Sequence, residues 1–188
     1  MSNELILAIS GNDIFSGGGL HADLATYTTN KQHGFVAVTC LTAMTEHGFE
    51  VIPVDPTTFA QQLNSLKDVP FSAIKLGLLP NVEVADLALD YVKDHADIPV
   101  VLDPVLVCKE THDVEVSALR DELIKFFPSV TIITPNLPEA EILTQSKIQS
   151  LDDMKEAARK LHELGAATVV VKGGNRLNKE KAIDVFYD

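Results

Sequence analysis

The sequence is poor in cysteine and in positive charge, and each shortage argues against a class of protein. Its two cysteines, Cys40 and Cys108, lie far apart in apolar stretches and form neither a CxxC pair nor a cysteine–histidine ligand spacing, so we interpret both as buried thiols in a reducing cytosol. Asp and Glu outnumber Lys and Arg by 27 to 15, and the formal net charge is −12. Because such a surface repels polyanions on average, we expect no nucleic-acid partner and no membrane partner.

Long apolar runs are missing as well. No stretch of about 18 apolar residues occurs in the sequence, and the start MSNELILAIS carries no positively charged leader. We therefore expect a soluble, cytoplasmic protein. With 46% hydrophobic and 22% charged residues, the composition is that of an ordinary globular protein. No linker or repeat divides it, so we expect a single domain over residues 1–188 with a small flap at 51–56.

Two nucleotide-binding signatures are absent from the sequence. The Walker pattern GxxxxGK[ST] does not occur, and GxGxxG fails because Gly17 and Gly19 are followed by Ala22 at the third position. Neither a P-loop nor an ordinary dinucleotide site is supported.

Short apolar runs rich in β-branched residues alternate with longer segments of helical period. This pattern is typical of an α/β fold whose central, mostly parallel sheet carries helices on both faces. We predict strands at 5–10, 35–41, 73–76, 100–102, 131–134, 168–172 and 182–187, and helices at 20–30, 56–67, 82–95, 116–127, 137–144 and 151–164.

Ligands of open α/β sheets bind at the carboxyl ends of the strands, so the candidate residues are those just after each predicted strand. Asp13 precedes three glycines that lead into a helix, an arrangement that can place a carboxylate beside a ligand. A turn-forming aspartate explains the same residues equally well. Asp103 ends a strand whose other side chains are apolar, and a buried carboxylate without a partner usually has a function.

Two further candidates follow later strands. Asn136 and Glu139 would share one face of a helix's first turn, where a carboxylate can hold hydrated magnesium. The alternative is a capping box in which Asn136 caps the helix and Glu139 completes the pair. Lys172 could neutralise phosphate while Gly173 and Gly174 let a nucleotide lie against the backbone, and the alternative here is a strand-ending turn.

Six motifs in order extend the pattern over the whole chain. They are residues 8–13 (AISGND) with 17–24 (GGGLHADL), then 39–43 (TCLTA), 74–79 (IKLGLL), 101–105 (VLDPV), 133–141 (ITPNLPEAE) and 170–174 (VVKGG). Together they resemble the ribokinase-like vitamin kinases, in the branch of the hydroxymethylpyrimidine kinases and pyridoxal kinases. The resemblance implies a ribokinase-like fold, ATP and Mg²⁺ as cofactors, and a homodimer.

The same resemblance assigns roles to individual residues. The implied vitamin site consists of Asp13, Gly19, Met44, Leu78 and Val105. The implied nucleotide site consists of Asp103, Asn136, Lys172, Gly173, Gly174, Asn175 and Arg176, with Glu139 as the magnesium ligand.

Two departures from the family pattern bear on the substrate. Residues 14–16 are Ile-Phe-Ser where hydroxymethylpyrimidine kinases usually carry Pro-Ser-Gly, and Met44 replaces a glutamine that reads the aminopyrimidine. Similar replacements occur in the pyridoxal kinases of Gram-positive bacteria. The resemblance therefore implies ATP-dependent phosphorylation of pyridoxal at its hydroxymethyl group, giving pyridoxal 5'-phosphate. Hydroxymethylpyrimidine kinase and a non-catalytic vitamin-binding chain remain the alternatives.

In this family a G-x-G-[CD] segment forms the anion hole and supplies or flanks the general base. None of the ten glycines builds that segment, and the last two are Gly173 and Gly174. We therefore expect the catalytic base and anion hole to lie beyond Asp188, and the 188 residues alone to be inactive.

Overall fold

The computed structural model describes residues 4–106 and 113–188. The contacts of these described residues divide them into two compact units, one up to Val100 and one from Val101 onward, and in both units strands alternate with helices. The α/β class predicted from the sequence is confirmed. No helix in these described stretches has the length and apolar character needed to span a membrane.

The first unit contains a four-stranded sheet in the order β3-β2-β1-β4. Strand β1 is parallel to both β2 and β4, whereas β3 is antiparallel to β2. The elements are β1 (Leu5–Asn12), α1 (Gly19–Thr29), β2 (His33–Thr45), β3 (Gly48–Pro53), α2 (Pro56–Leu66), β4 (Ala73–Leu76) and α3 (Val82–Asp94).

Both faces of β1 are buried. Ile6 and Ala8 point to one face and form a core cluster with Leu20 of α1. Leu7 and Ile9 point to the opposite face, because side chains alternate along a strand, and they are also buried. This explains why β1 appears in the sequence as a continuous apolar run rather than an alternating one.

The second unit also contains four strands among its described residues, in the order β5-β6-β7-β8. Strands β5, β6 and β7 are parallel, and β8 is antiparallel to β7. The elements are β5 (Val100–Leu102), α4 (Asp113–Ile124), a 3₁₀ turn (Phe127–Ser129), β6 (Ile132–Ile133), α5 (Leu137–Thr144), α6 (Leu151–Glu163), β7 (Val169–Lys172) and β8 (Asp184–Tyr187).

The β2–β3 hairpin and helix α4 differ most from the sequence prediction. Strand β2 does not end at residue 41 but continues to Thr45 and forms a hairpin with β3, where we had predicted only a flap at 51–56. The backbone groups of residues 40–45 pair with those of residues 48–53, which keeps the chain extended. The predicted helix 116–127 ends early at Ile124, because Pro128 has no amide hydrogen to continue it.

Candidate active-site residues

Asp13 lies in the loop after β1, and its carboxylate is held by that loop. Its Oδ1 accepts a hydrogen bond from the Phe15 amide at 2.9 Å, and its Oδ2 accepts one from the Gly17 amide at 3.1 Å. The turn-forming interpretation of Asp13 is therefore correct. It does not exclude a ligand, because each carboxylate oxygen has two lone pairs and these bonds use one of each.

Gly19 begins α1 in the left-handed backbone region, with φ of +58°. A Cβ atom at this position would collide with the carbonyl oxygen of Gly11 at the end of β1. The fold itself thus requires a glycine here, since only glycine permits both this conformation and this approach. The predicted contact of Gly19 with the vitamin stays a prediction.

Thr42 joins β2 to the Asp13 loop. Its hydroxyl donates to the Asn12 carbonyl at 3.0 Å and accepts from the Ile14 amide at 3.1 Å. The sequence places Thr42 after a strand but gives it no role, because a lone threonine carries no signal of a partner 28 to 30 residues away.

Met44 also lies within β2, not in a loop after the strand as we had predicted. It is 58% exposed and directly opposite Phe49 of β3. Alternation along the strand puts Met44 on the same face as Thr42, which is the face that contacts the Asp13 loop. Leu78, the remaining vitamin-site candidate of this unit, follows β4 and is half-buried, and its carbonyl accepts a hydrogen bond from Thr39 at 2.6 Å.

In the second unit, Asp103, Thr134 and Lys172 meet at the carboxyl ends of β5, β6 and β7. Asp103 Oδ1 accepts from the Lys172 ammonium at 2.8 Å and from the Thr134 hydroxyl at 3.2 Å. The expectation of a buried, unpartnered carboxylate is thus wrong, because Asp103 is partly exposed and paired with a lysine. Val105 lies two residues further on, and its amide donates to the Asp103 carbonyl at 2.9 Å.

Asn136 and Glu139 form the capping box that was the alternative interpretation. The Asn136 side chain accepts from the Glu139 amide at 3.0 Å, and Glu139 Oε2 accepts from the Asn136 amide at 2.8 Å. Asn136 also forms a parallel bridge to Lys172. Glu139 is only 4% exposed, and this burial raises the pKa of its carboxyl to about 7. The Asn136 amide opposes that rise in pKa, the nearby Asp103 adds to it, and Lys172 lowers it.

The residues after β7 differ in what surrounds them. A Cβ atom on Gly173 would collide with the Ile183 carbonyl oxygen, so packing within the unit already requires this glycine. Gly174 has φ of +52° and open space at its Cβ position. Asn175 and Arg176 follow it in an exposed turn. A strand-ending turn is therefore present, and contact with a nucleotide stays a prediction for all four residues.

The carboxylates of Asp103 and Glu139 fit a hydrated magnesium ion. Mg²⁺ in phosphoryl-transfer sites keeps several waters and takes only one or two carboxylates together with substrate phosphates. Asp103 and Glu139 are close enough for the charge of the first to raise the pKa of the second. Across residues 4–106 and 113–188 no group of three or more His, Cys, Asp or Glu side chains could hold a metal. A magnesium ion here would therefore depend on bound phosphate.

Comparison with known proteins places this arrangement among the ribokinase-like vitamin kinases. The family model described as phosphomethylpyrimidine kinase matches residues 13–188, and this chain belongs to that family. The pyridoxine kinase of Bacillus subtilis is 40% identical over the whole chain and 72% of its own length. The hydroxymethylpyrimidine/phosphomethylpyrimidine kinase of Aquifex aeolicus is 36% identical over 98% of the chain and 73% of its own length.

Solved structures agree with this assignment. The pyridoxal kinase of Bacillus subtilis, crystallised as an ADP complex, has a TM-score of 0.92 and 39% identity, covering all of this chain and 72% of that protein. The pyridoxal kinase of Staphylococcus aureus, solved in complex with pyridoxal, has a TM-score of 0.90 and 33% identity, covering all of this chain and 70% of that protein.

Proposed function

We propose that this protein transfers the terminal phosphoryl group of ATP to the hydroxymethyl group of pyridoxal. The observation that carries the choice of pyridoxal is the position of Met44. Its thioether lies exposed on the face of β2 that carries Thr42, where the loop of Asp13 is tethered. An apolar side chain at this point leaves the amine of an aminopyrimidine without a partner, whereas the carboxylate of Asp13 can still accept from a ring donor. The kinship with pyridoxine and pyridoxal kinases supports the same choice.

The second unit would supply the nucleotide side of the reaction. Lys172 carries a positive charge at the carboxyl end of β7 and would neutralise phosphate oxygens. Asn136 and the exposed turn Gly174–Arg176 would contact the nucleotide, and Glu139 would hold Mg²⁺ through water. When bound, the ion supplies positive charge to the phosphates.

In this reaction these residues would form no covalent bond to the substrate. The hydroxymethyl oxygen forms a bond to the terminal phosphorus while the bond from that phosphorus to the ADP oxygen breaks, and the hydroxyl proton passes to a general base. Catalysis comes from positioning and charge stabilisation. Asp13 would orient the vitamin ring. Lys172 would stabilise the charge that spreads over the phosphoryl oxygens, with Asp103 fixing the position of its ammonium group.

The test is the formation of pyridoxal 5'-phosphate by the full natural chain, followed with ATP and Mg²⁺ present. We expect kcat/KM for pyridoxal to exceed that for hydroxymethylpyrimidine, and Asp13→Ala to raise KM for pyridoxal. A higher kcat/KM for the pyrimidine would overturn the choice of substrate in favour of the alternative, which the Aquifex aeolicus relative represents. Tight binding of pyridoxal without any turnover would instead establish a vitamin-binding protein.

The homodimer and the cytoplasmic location also stay proposals. Sedimentation equilibrium of the purified protein should give twice the monomer mass, and cell fractionation should recover the protein with cytoplasmic enzymes.

A further inference from the structure

Phe49 is a residue that no sequence argument selects, yet it lies beside the Asp13 loop. The ring of Phe49 stacks on the ring of Phe15, with centroids 6.3 Å apart and an interplanar angle of 24°. Phe15 belongs to the loop itself, since its amide donates to Asp13 Oδ1. Phe49 lies in β3 directly opposite Met44. The β2–β3 hairpin and the Asp13 loop are thus joined by an aromatic contact as well as by Thr42.

These side chains form an apolar surface that the described part of the molecule leaves uncovered. Phe15 is 67% exposed, Met44 is 58% exposed, and Ile14 is also exposed. Large apolar side chains that cluster on a surface next to a polar group usually mark a binding site. The polar group here is the carboxylate of Asp13, two residues from Phe15.

We propose that Phe15 and Phe49 form one aromatic wall of the vitamin site, against which the flat ring of the substrate packs while Asp13 accepts a hydrogen bond from the ring's polar edge. This inference rests on the proposed function and assigns two residues to its binding site. Their mutual stacking matters because a wall built from two separate chain segments is in place only when both rings are present. The two residues therefore act as a pair.

Two other apolar residues of the β2–β3 hairpin serve as a control for the loss of exposed apolar surface. Leu41 and Ile52 pair across the same two strands as Met44 and Phe49, but alternation places them on the opposite face. They are 48% and 46% exposed, which is close to the exposure of Met44. Loss of either side chain removes a similar apolar surface from the hairpin without touching the proposed wall.

The experiment measures the dissociation constants of pyridoxal and of ADP for the full natural chain and its variants. We expect Phe15→Ala and Phe49→Ala each to weaken pyridoxal binding about two- to tenfold, the range for loss of one aromatic contact. The fold-loss of pyridoxal affinity in the double variant should be smaller than the product of the two single fold-losses. Phe49→Tyr should restore binding, and Leu41→Ala and Ile52→Ala should stay within about twofold of the parent.

ADP affinity and the thermal midpoint separate a binding role from a structural one. ADP affinity should remain unchanged in Phe15→Ala and Phe49→Ala, because the wall belongs to the vitamin site. The thermal midpoint should fall only slightly in both variants, because each loses the one stacking contact between the two rings. Pyridoxal binding that is unaffected by either substitution, in a parent protein that does bind pyridoxal, would overturn the inference and leave the proposed function standing. A parent protein that does not bind pyridoxal at all would overturn both. A change in sedimentation mass without a change in pyridoxal affinity would show instead that a second copy of the chain covers this surface, and would also overturn the inference.

Discussion

Lys172 and Asp103 lie 69 positions apart in the chain, and their side chains meet with 2.8 Å between Nζ and Oδ1. Because β5, β6 and β7 are parallel and adjacent, the residues that end β5 and β7 emerge at the same edge of the sheet. Both charges act on Glu139: the charge of Asp103 raises the pKa of the Glu139 carboxyl, and the charge of Lys172 lowers it. A substitution that removes either charge should therefore change the pKa of the Glu139 carboxyl.

Replacing Lys172 with methionine should weaken ADP binding. The substitution keeps an apolar stem of similar length but removes the charge, and a hydrogen bond to a charged group is worth about 1.5–3 kcal/mol, which corresponds to roughly 10- to 150-fold in affinity. Isothermal titration with ADP and Mg²⁺ measures the effect. Lys155→Met is the matched control, because Lys155 pairs with the exposed Asp152 on α6 of the same unit. Equal losses in both variants would contradict a specific role for Lys172.

Glu139 should make the protein less stable as pH rises from about 4.5 to about 7. Its ordinary pKa is 4.5 and its folded pKa is about 7, so in this range the folded state binds more protons than the unfolded state. Stability therefore falls with rising pH, and above pH 7 the full penalty for the buried carboxylate remains, roughly 3 kcal/mol. Urea unfolding at pH 5 and pH 7.5 measures this difference.

The Glu139→Gln variant tests the source of that pH dependence. Its side-chain oxygen can still accept from the Asn136 amide, so the capping box is preserved while the titration is removed. The stability of this variant should vary less between the two pH values than that of the parent. If Glu139 also holds magnesium, the variant should need more Mg²⁺ for half-maximal turnover, and an unchanged magnesium titration would leave the capping box as its sole role.

Met44→Gln should shift the substrate preference toward hydroxymethylpyrimidine. A buried polar group without a partner costs about 1–3 kcal/mol, so restoring an amide should change the ratio of the two kcat/KM values about five- to 150-fold. The ratio is measured in the full natural chain before and after the substitution. An unchanged ratio would mean that Met44 does not contact the ring, and the choice of pyridoxal would lose its main support.

Gly19→Ala should destabilise the protein more than Gly174→Ala. Both glycines have positive φ, +58° and +52°, so both variants carry the backbone strain of about 1–2 kcal/mol that an L-residue pays there. Only at Gly19 would the new methyl group also collide with a backbone carbonyl, that of Gly11. Urea unfolding of the two variants isolates the cost of this close approach. Equal losses of unfolding free energy in the two variants would mean that the loop moves away from the new methyl group at position 19 at no cost in stability.

The secondary structure was largely predictable because its signals are local. Ser150 caps α6 by accepting from the Asp153 amide, a contact that spans only three residues. The β2–β3 hairpin was missed because neither Met44 nor Phe49 carries a local sign of its partner across the turn. Pro128 ended α4 earlier than the apolar period indicated, since the missing amide hydrogen outweighs periodicity.

Sequence alone was sufficient for the α/β class and for the placement of Asp103 and Lys172 at strand ends, because alternation, capping and glycine placement act within a few residues of the chain. It could not show that Asp103 is paired, that the carboxyl of Glu139 has a pKa near 7, or that Phe15 and Phe49 stack. These features depend on burial and on contacts between residues tens of positions apart. Strand adjacency brings such residues together, and the low dielectric around a buried group then determines its charge.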